Sequence, residues 1–264
     1  MNWFINLNPI LQAFIATLFT WTITILGASI VLFFKKVNKN IMDAMLGIAG
    51  GVMLSAAFFS LLSPSLELAD TLKMKPIWLV TLWGFMVGGL LLFIGDKYFE
   101  YREKKQKKKT SKKRIIMLIA SITLHNIPEG MVVGVAFGSV LYNIDGVTIL
   151  SAILLAIGIG LQNFPEGTAV SLPLRREGMS RKKAFIIGSL TGIVEPISGV
   201  LGALLVLKIR TLLPFLLAFA AGAMIYVVVE EIVPESQTNK RKDLMALFTL
   251  IGFSLMMVLD IAFG

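Results

Sequence analysis

The chain has 264 residues, 56% of them hydrophobic and 16% charged, with a net charge of +9 and no cysteine. That much apolar surface cannot be hidden in a soluble fold, and it is grouped in uncharged runs of about twenty residues, the length a helix needs to cross roughly 30 Å of hydrocarbon. Without cysteine there is no disulfide framework, no thiolate metal site and no thiol redox chemistry.

Apolar stretches between charged punctuation predict helices over 9–34, 41–63, 77–96, 115–140, 147–173, 184–207, 211–233 and 244–263. The expected fold class is all-α integral membrane, eight transmembrane helices forming one domain over 1–264. The first stretch lacks a basic leader and is too long for the core of a cleaved signal, so it reads as a retained span. Eight crossings put both termini on one side, and Lys and Arg are held in the cytoplasm during insertion. Of the 25 basic residues, 21 fall in 35–39, 97–114, 175–183 and 240–242, leaving Lys73, Lys75, Lys208 and Arg210 for the outer loops. Both termini are thus expected to be extracytoplasmic, in a multi-pass protein of the cell membrane. The positive charge is a consequence of topology; no chain is left over to fold a nucleic-acid reader. Residues 97–114, with the run REKKQKKKTSKKR, are expected to form a disordered cytoplasmic loop that anchors orientation, with docking on anionic lipid as the alternative.

Ionisable groups at membrane depth are costly and mark functional sites. Here they cluster in two hexapeptides, HNIPEG (125–130) in the fourth span and QNFPEG (162–167) in the fifth. His125 and Glu129, like Gln162 and Glu166, are four apart and share a helix face. Pro128 and Pro165 each remove a backbone donor and crowd the carbonyl four residues back, at Leu124 and Leu161, which predicts kinks. The two spans run in opposite directions through a short loop around Tyr142 to Gly146, which places a local two-fold axis in the membrane plane. His125 lies about ten residues in from the cytoplasmic end, roughly 15 Å, near the bilayer centre. Converging His125, Glu129, Gln162 and Glu166 offer one imidazole and three oxygens to a divalent first-row metal. Two carboxylates in a dry pocket require a cation or shared protons between them.

Further candidates follow the same logic. Glu195, in IVEPISG of the sixth span, is another Glu beside a proline at membrane depth and reads as a site residue against a structural ion pair. Met53 could offer a thioether, though among 13 methionines packing is the default reading, and Ser60 by default bonds to its own backbone. Glu67 and Asp70 lie near the outer end of the second span, and Glu230 and Glu231 near the cytoplasmic end of the seventh. Vestibule ligands and solvated helix ends are both open readings for these four. The glycines of the second, sixth and seventh spans suggest close helix packing.

HNIPEGMVVGVAFG (125–138) and QNFPEGTAVSLPLRREGMS (162–180) resemble the signature helices of the ZIP (Zrt/Irt-like) family of divalent-metal transporters, in its GufA-like prokaryotic branch. The resemblance extends to GGVMLSAAFFSLLSPSLE (50–67), VEPISGVLGA (194–203) and AFAAGAMIYVVVEEIVPES (218–236). It implies a 3 + 2 + 3 arrangement in which spans 1–3 and 6–8 are inverted repeats around spans 4 and 5, in a transporter often found as a homodimer. By motif position it implies a first metal position at His125, Glu129, Gln162, Glu166 and Met53. A second position would use Asn126, Glu129, Asn163, Glu166 and Glu195, with both glutamates bridging. Ser60 and Glu67 resemble entrance residues, and Glu230 and Glu231 release-side carboxylates. Two departures stand out: Asn163 replaces the Asp of some relatives, and the loop between spans three and four is rich in lysine instead of histidine.

The expected function is therefore uptake of divalent metal into the cytoplasm by alternating access, with zinc first and cadmium, iron and manganese also suited to the donor set. The partners are the metal ion and the lipid bilayer, with no nucleic acid and no catalytic cofactor. No GxxxxGK[ST] loop is present for ATP, and with one histidine and no HExxH an intramembrane metalloenzyme is disfavoured. A channel-like pore would use the same ligands.

Overall fold

The computed structural model describes residues 2–33, 38–106, 112–141 and 148–263. Among these residues all regular structure is helical. After a short turn at Asn2–Ile5 come eight long helices: α1 Pro9–Phe33, α2 Lys39–Thr71, α3 Ile77–Gln106, α4 Lys112–Leu141, α5 Ile149–Arg176, α6 Arg181–Leu204, α7 Val206–Ser236 and α8 Lys242–Phe263. Seven of the described helices, all but α4, are long and apolar enough to cross a membrane.

Polar caps set where these helices begin, which is why several start before the apolar run does. The Asn38 side chain accepts the Asn40 and Ile41 amides ahead of α2, Thr148 and Ser151 form a reciprocal capping box ahead of α5, and Ser180 accepts the Lys183 amide ahead of α6. Three expected boundaries change. α2 continues to Thr71 and so carries Glu67 and Asp70 on the helix. α6 and α7 are separated by Leu205 alone, so Lys208 and Arg210 sit in the first turns of α7 and not in a loop. The basic segment expected to be disordered is helical up to Gln106 and again from Lys112, because Lys, Arg, Glu and Gln are strong helix formers that extend an apolar helix into water. Residues 107–111, and the expected loop around Tyr142 to Gly146, lie outside the described residues.

Helix packing separates the chain into two groups. α1, α4, α5 and α6 pack on one another, most extensively α1 on α5 and α4 on α6; α2, α3, α7 and α8 form the second group, led by α2 on α8 and α3 on α7. The groups meet mainly where α4 lies on α7 and α2 on α5. The second group contains two π-helical turns, Ala57–Leu62 in α2 and Val228–Ile232 in α7. Each comes just before a proline, Pro64 and Pro234, whose missing N–H disturbs the normal hydrogen-bond ladder.

Candidate metal centre

The two hexapeptides lie in the middle of α4 and α5, and both helices continue through Pro128 and Pro165. The terminal glycine of each motif sets the depth at which its helix docks. A Cβ on Gly167 would fall onto the Thr24 carbonyl of α1, and one on Gly130 would meet Ser198 Oγ and the Glu195 carbonyl of α6. Only a residue without a side chain lets the backbones approach this closely. The glutamate just before each glycine is thereby held between neighbouring helices.

His125, Glu129, Gln162 and Glu166 converge and are all fully buried. His125 Nε2 lies 3.2 Å from Glu166 Oε2. The Gln162 amide donates to Glu129 Oε1. One ligand atom each from His125, Glu129 and Glu166 can be chosen so that all three are within 4.8 Å of one another. Adjacent donors around a tetrahedral zinc at about 2.1 Å are about 3.4 Å apart, so the His125–Glu166 pair already has ligand spacing. Five further buried oxygens, Asn126 Oδ1, Glu129 Oε2, Gln162 Oε1, Asn163 Oδ1 and Glu166 Oε1, have no hydrogen-bond partner among the described residues. Leaving each such group dry and unsatisfied costs about 1–3 kcal/mol, and a divalent cation would satisfy several at once.

Asn126, Asn163 and Glu195 are equally buried and flank these four residues. α6 tightens into a 3₁₀ turn at Thr191–Ile193 just before Pro196, and the Thr191 carbonyl accepts the Asn126 amide at 3.2 Å. The Asn163 amide reaches both oxygens of Glu195, at 3.0 and 2.9 Å. Thr20 of α1 donates its hydroxyl to Glu195 Oε2.

Met53 is fully buried on α2, in the apolar core that includes Ala169 and Val170 of α5. It is the one expected ligand that belongs to the second helix group. Ser60, in the π turn of α2, donates to Asp260 of α8 at 2.6 Å. Glu67 is exposed and lines two adjoining cavities of ≈ 380 and ≈ 240 Å³, the smaller shared with Ser60 and Asp260. Asp70 is exposed on the last turn of α2, and Glu230 and Glu231 lie in the π turn of α7. None of Glu67, Asp70, Glu230 and Glu231 is grouped with His125, Glu129 and Glu166 among the described residues.

A family model described as ZIP Zinc transporter matches residues 7–114 and 100–260. The chain belongs to the ZIP family. It is a multi-pass membrane protein and a transporter, not an enzyme. It is 35% identical to zinc transporter ZIP11 of Xenopus tropicalis, an alignment covering 97% of this chain and 98% of that protein. Zinc transporter ZIPB of Bordetella bronchiseptica is 34% identical over 91% of this chain and 78% of its own length, and zinc transporter GufA of Myxococcus xanthus 32% over 95% and 98%.

Five residues of this ZIP-family chain were not singled out by hydropathy or motif. Thr17, Thr20 and Thr24 are fully buried on one face of α1. Their spacing of three and four in an otherwise apolar helix was the available signal, and Thr20 is the one that reaches a carboxylate. Asp43, fully buried near the start of α2, pairs with Arg176 at the end of α5 (3.2 Å) and accepts the Asn239 amide at 2.8 Å. Asp260, on the last turn of α8, accepts the Ser60 hydroxyl.

Proposed function

We propose that the chain carries divalent cations, zinc foremost, across the membrane into the cytoplasm through the buried group on α4 and α5. His125, Glu129, Gln162 and Glu166 are the primary ligands. Met53, Asn126, Asn163 and Glu195 complete the wall of the site. The observation that carries this reading is the convergence of an imidazole and two carboxylates, fully buried, with ligand atoms mutually within 4.8 Å. At that separation and an effective dielectric of about 20, two carboxylates repel by about 3.5 kcal/mol, which a dication between them reverses. The relatives named zinc transporters support zinc as the cargo.

The packing supports alternating access. All the proposed ligands except Met53 belong to the group α1, α4, α5, α6, so the ion and its cage can shift as a unit against α2, α3, α7 and α8. The contact pattern is also preserved when α1, α2, α3 and α4 are exchanged with α6, α7, α8 and α5, as inverted repeats require: α1 on α5 becomes α6 on α4, and α2 on α8 becomes α7 on α3. Groups assigned to one side of the membrane do meet: Asp43, Arg176 and Glu235 pair at the expected cytoplasmic end, while Glu67, Ser139, Ser151 and Arg210 line one outer cavity. Both termini then face outward, with α4 as the eighth crossing. Glu67, Ser60 and Asp260 would receive the ion from outside, and Glu230 and Glu231 would lie on its way out.

The test is zinc uptake by proteoliposomes containing the purified protein. Glu129→Ala and Glu166→Ala are expected to abolish saturable uptake while leaving the folded protein intact. Wild-type uptake in both variants would refute the site.

A further inference from the structure

We infer that Thr20 is a positioning residue: together with Asn163 it holds Glu195 as a hydrogen-bonded counter-charge beside the metal, so that this site takes one divalent cation and not two. The inference rests on the metal site proposed above and decides the role of its α6 carboxylate.

Glu195 is fully buried, and its two oxygens are already engaged. The Asn163 amide donates across both of them, and the Thr20 hydroxyl donates to Oε2. The second proton of the Asn163 amide goes to the backbone carbonyl of Thr20 at 3.2 Å. This fixes the orientation of the amide. Turned over, its carbonyl oxygen would face two carboxylate oxygens at about 3 Å and both donations would be lost. Asn163 Nδ2 is therefore spent on Glu195 and α1, and Oδ1 faces the other way.

The unsatisfied oxygens divide accordingly. Among the seven polar residues of the site on α4, α5 and α6, the oxygens without a partner among the described residues are those of Asn126, Glu129, Gln162, Asn163 and Glu166, on α4 and α5. Neither oxygen of Glu195 is in that group. The carboxylate instead occupies a niche on the α1 side of α6. A Cβ on Gly192 would come within 3.0 Å of both Glu195 Oε1 and Thr24 Oγ1, so a residue with no side chain keeps that niche open. Two donors, one shared across both oxygens, hold this carboxylate facing α1 and Asn163, and from there its negative charge still lowers the energy of a cation held a few ångströms away. Asn163 has a single oxygen, and with Nδ2 spent on Glu195 and α1 it can offer a metal only Oδ1, where an aspartate would offer two anionic oxygens.

The experiment counts ions bound to the purified full-length protein in detergent, titrated with Cd²⁺ or Zn²⁺. Wild type should bind one ion per chain, with affinity that collapses in Glu129→Ala. Asn163→Asp removes the amide donor and adds an oxygen; it should bind two ions, and the second should vanish when Glu195→Gln is added. Thr20→Val should weaken the first ion by about tenfold, the lower range for loss of a group that orients the ligand shell, and Thr20→Ser should restore it. A merely structural threonine would not be rescued by serine in affinity, and metal-free melting of the three proteins controls for folding. Two ions in wild type, the second lost in Glu195→Gln, would overturn the inference, as would Thr20→Val binding as wild type does. Wild-type affinity in Glu129→Ala would instead sink the underlying metal site.

Discussion

Replacing Arg176 by Met tests the junction between the two helix groups. Arg176 leaves the end of α5 and reaches Asp43 on α2 at 3.2 Å, Glu235 on α7 and the Thr238 hydroxyl at 3.4 Å. Asp43 is fully buried, while a quarter of the arginine side chain is exposed. At an effective dielectric of about 20, opposite charges 3.2 Å apart attract by about 5 kcal/mol, part of which water at the guanidinium screens. The Asn239 amide still donates to Asp43 after the substitution, at 2.8 Å. The expected loss is therefore about 3 kcal/mol, the lower end for stranding a buried charge. The assay is denaturant unfolding of the purified protein in micelles followed by tryptophan fluorescence, with zinc affinity measured alongside. Adding Asp43→Asn should recover a large share of the loss, since a stranded charge costs more than a neutral pair, and Kd for zinc should stay within about twofold. A change below about 0.5 kcal/mol in Arg176→Met, or losses that simply add in the double variant, would refute the reasoning.

The other predictions concern the site and its approach. Gly167→Ala places a methyl on the Thr24 carbonyl and should destabilise by about 1–3 kcal/mol, seen as a lower melting temperature than for Gly158→Ala, whose added carbon meets nothing within 4 Å. Zinc at one hundred times its Kd should stabilise the wild type by about 2.7 kcal/mol in the same unfolding assay, and a chelator should remove that gain; Glu166→Ala should show no zinc-dependent gain. Asp260→Asn keeps a partner for Ser60 but removes a charge from the cavity it shares with Glu67, so uptake should show a raised KM with little change in kcat. An unchanged KM would remove Asp260 from the approach path.

How far the sequence could be read depended on the kind of interaction. Hydropathy located the body of every long helix, because crossing hydrocarbon demands an uninterrupted apolar run whatever the packing. It missed the ends held by Asn38 and Ser180, since a cap is a local hydrogen bond between polar residues that an apolar count discards. The break between α6 and α7 was read at 208–210, from Lys208 and Arg210, a few residues beyond its place at Leu205, because both flanks of Leu205 are apolar. The repeated hexapeptide spacing pointed to His125, Glu129, Gln162 and Glu166, because residues four apart share a face and the same motif occurs on two neighbouring helices. Thr20 and Glu195, in contrast, are 175 positions apart in the chain, and only the folded arrangement of α1, α5 and α6 joins them.

Anomalous diffraction from crystals of the cadmium-loaded protein would be decisive for the site. A single strong peak is expected between α4 and α5, within bonding distance of His125, Glu129 and Glu166 and clear of the Glu195 oxygens. Cadmium bound at the cavity around Glu67 and Asp260 alone, with no density beside His125, would contradict the account.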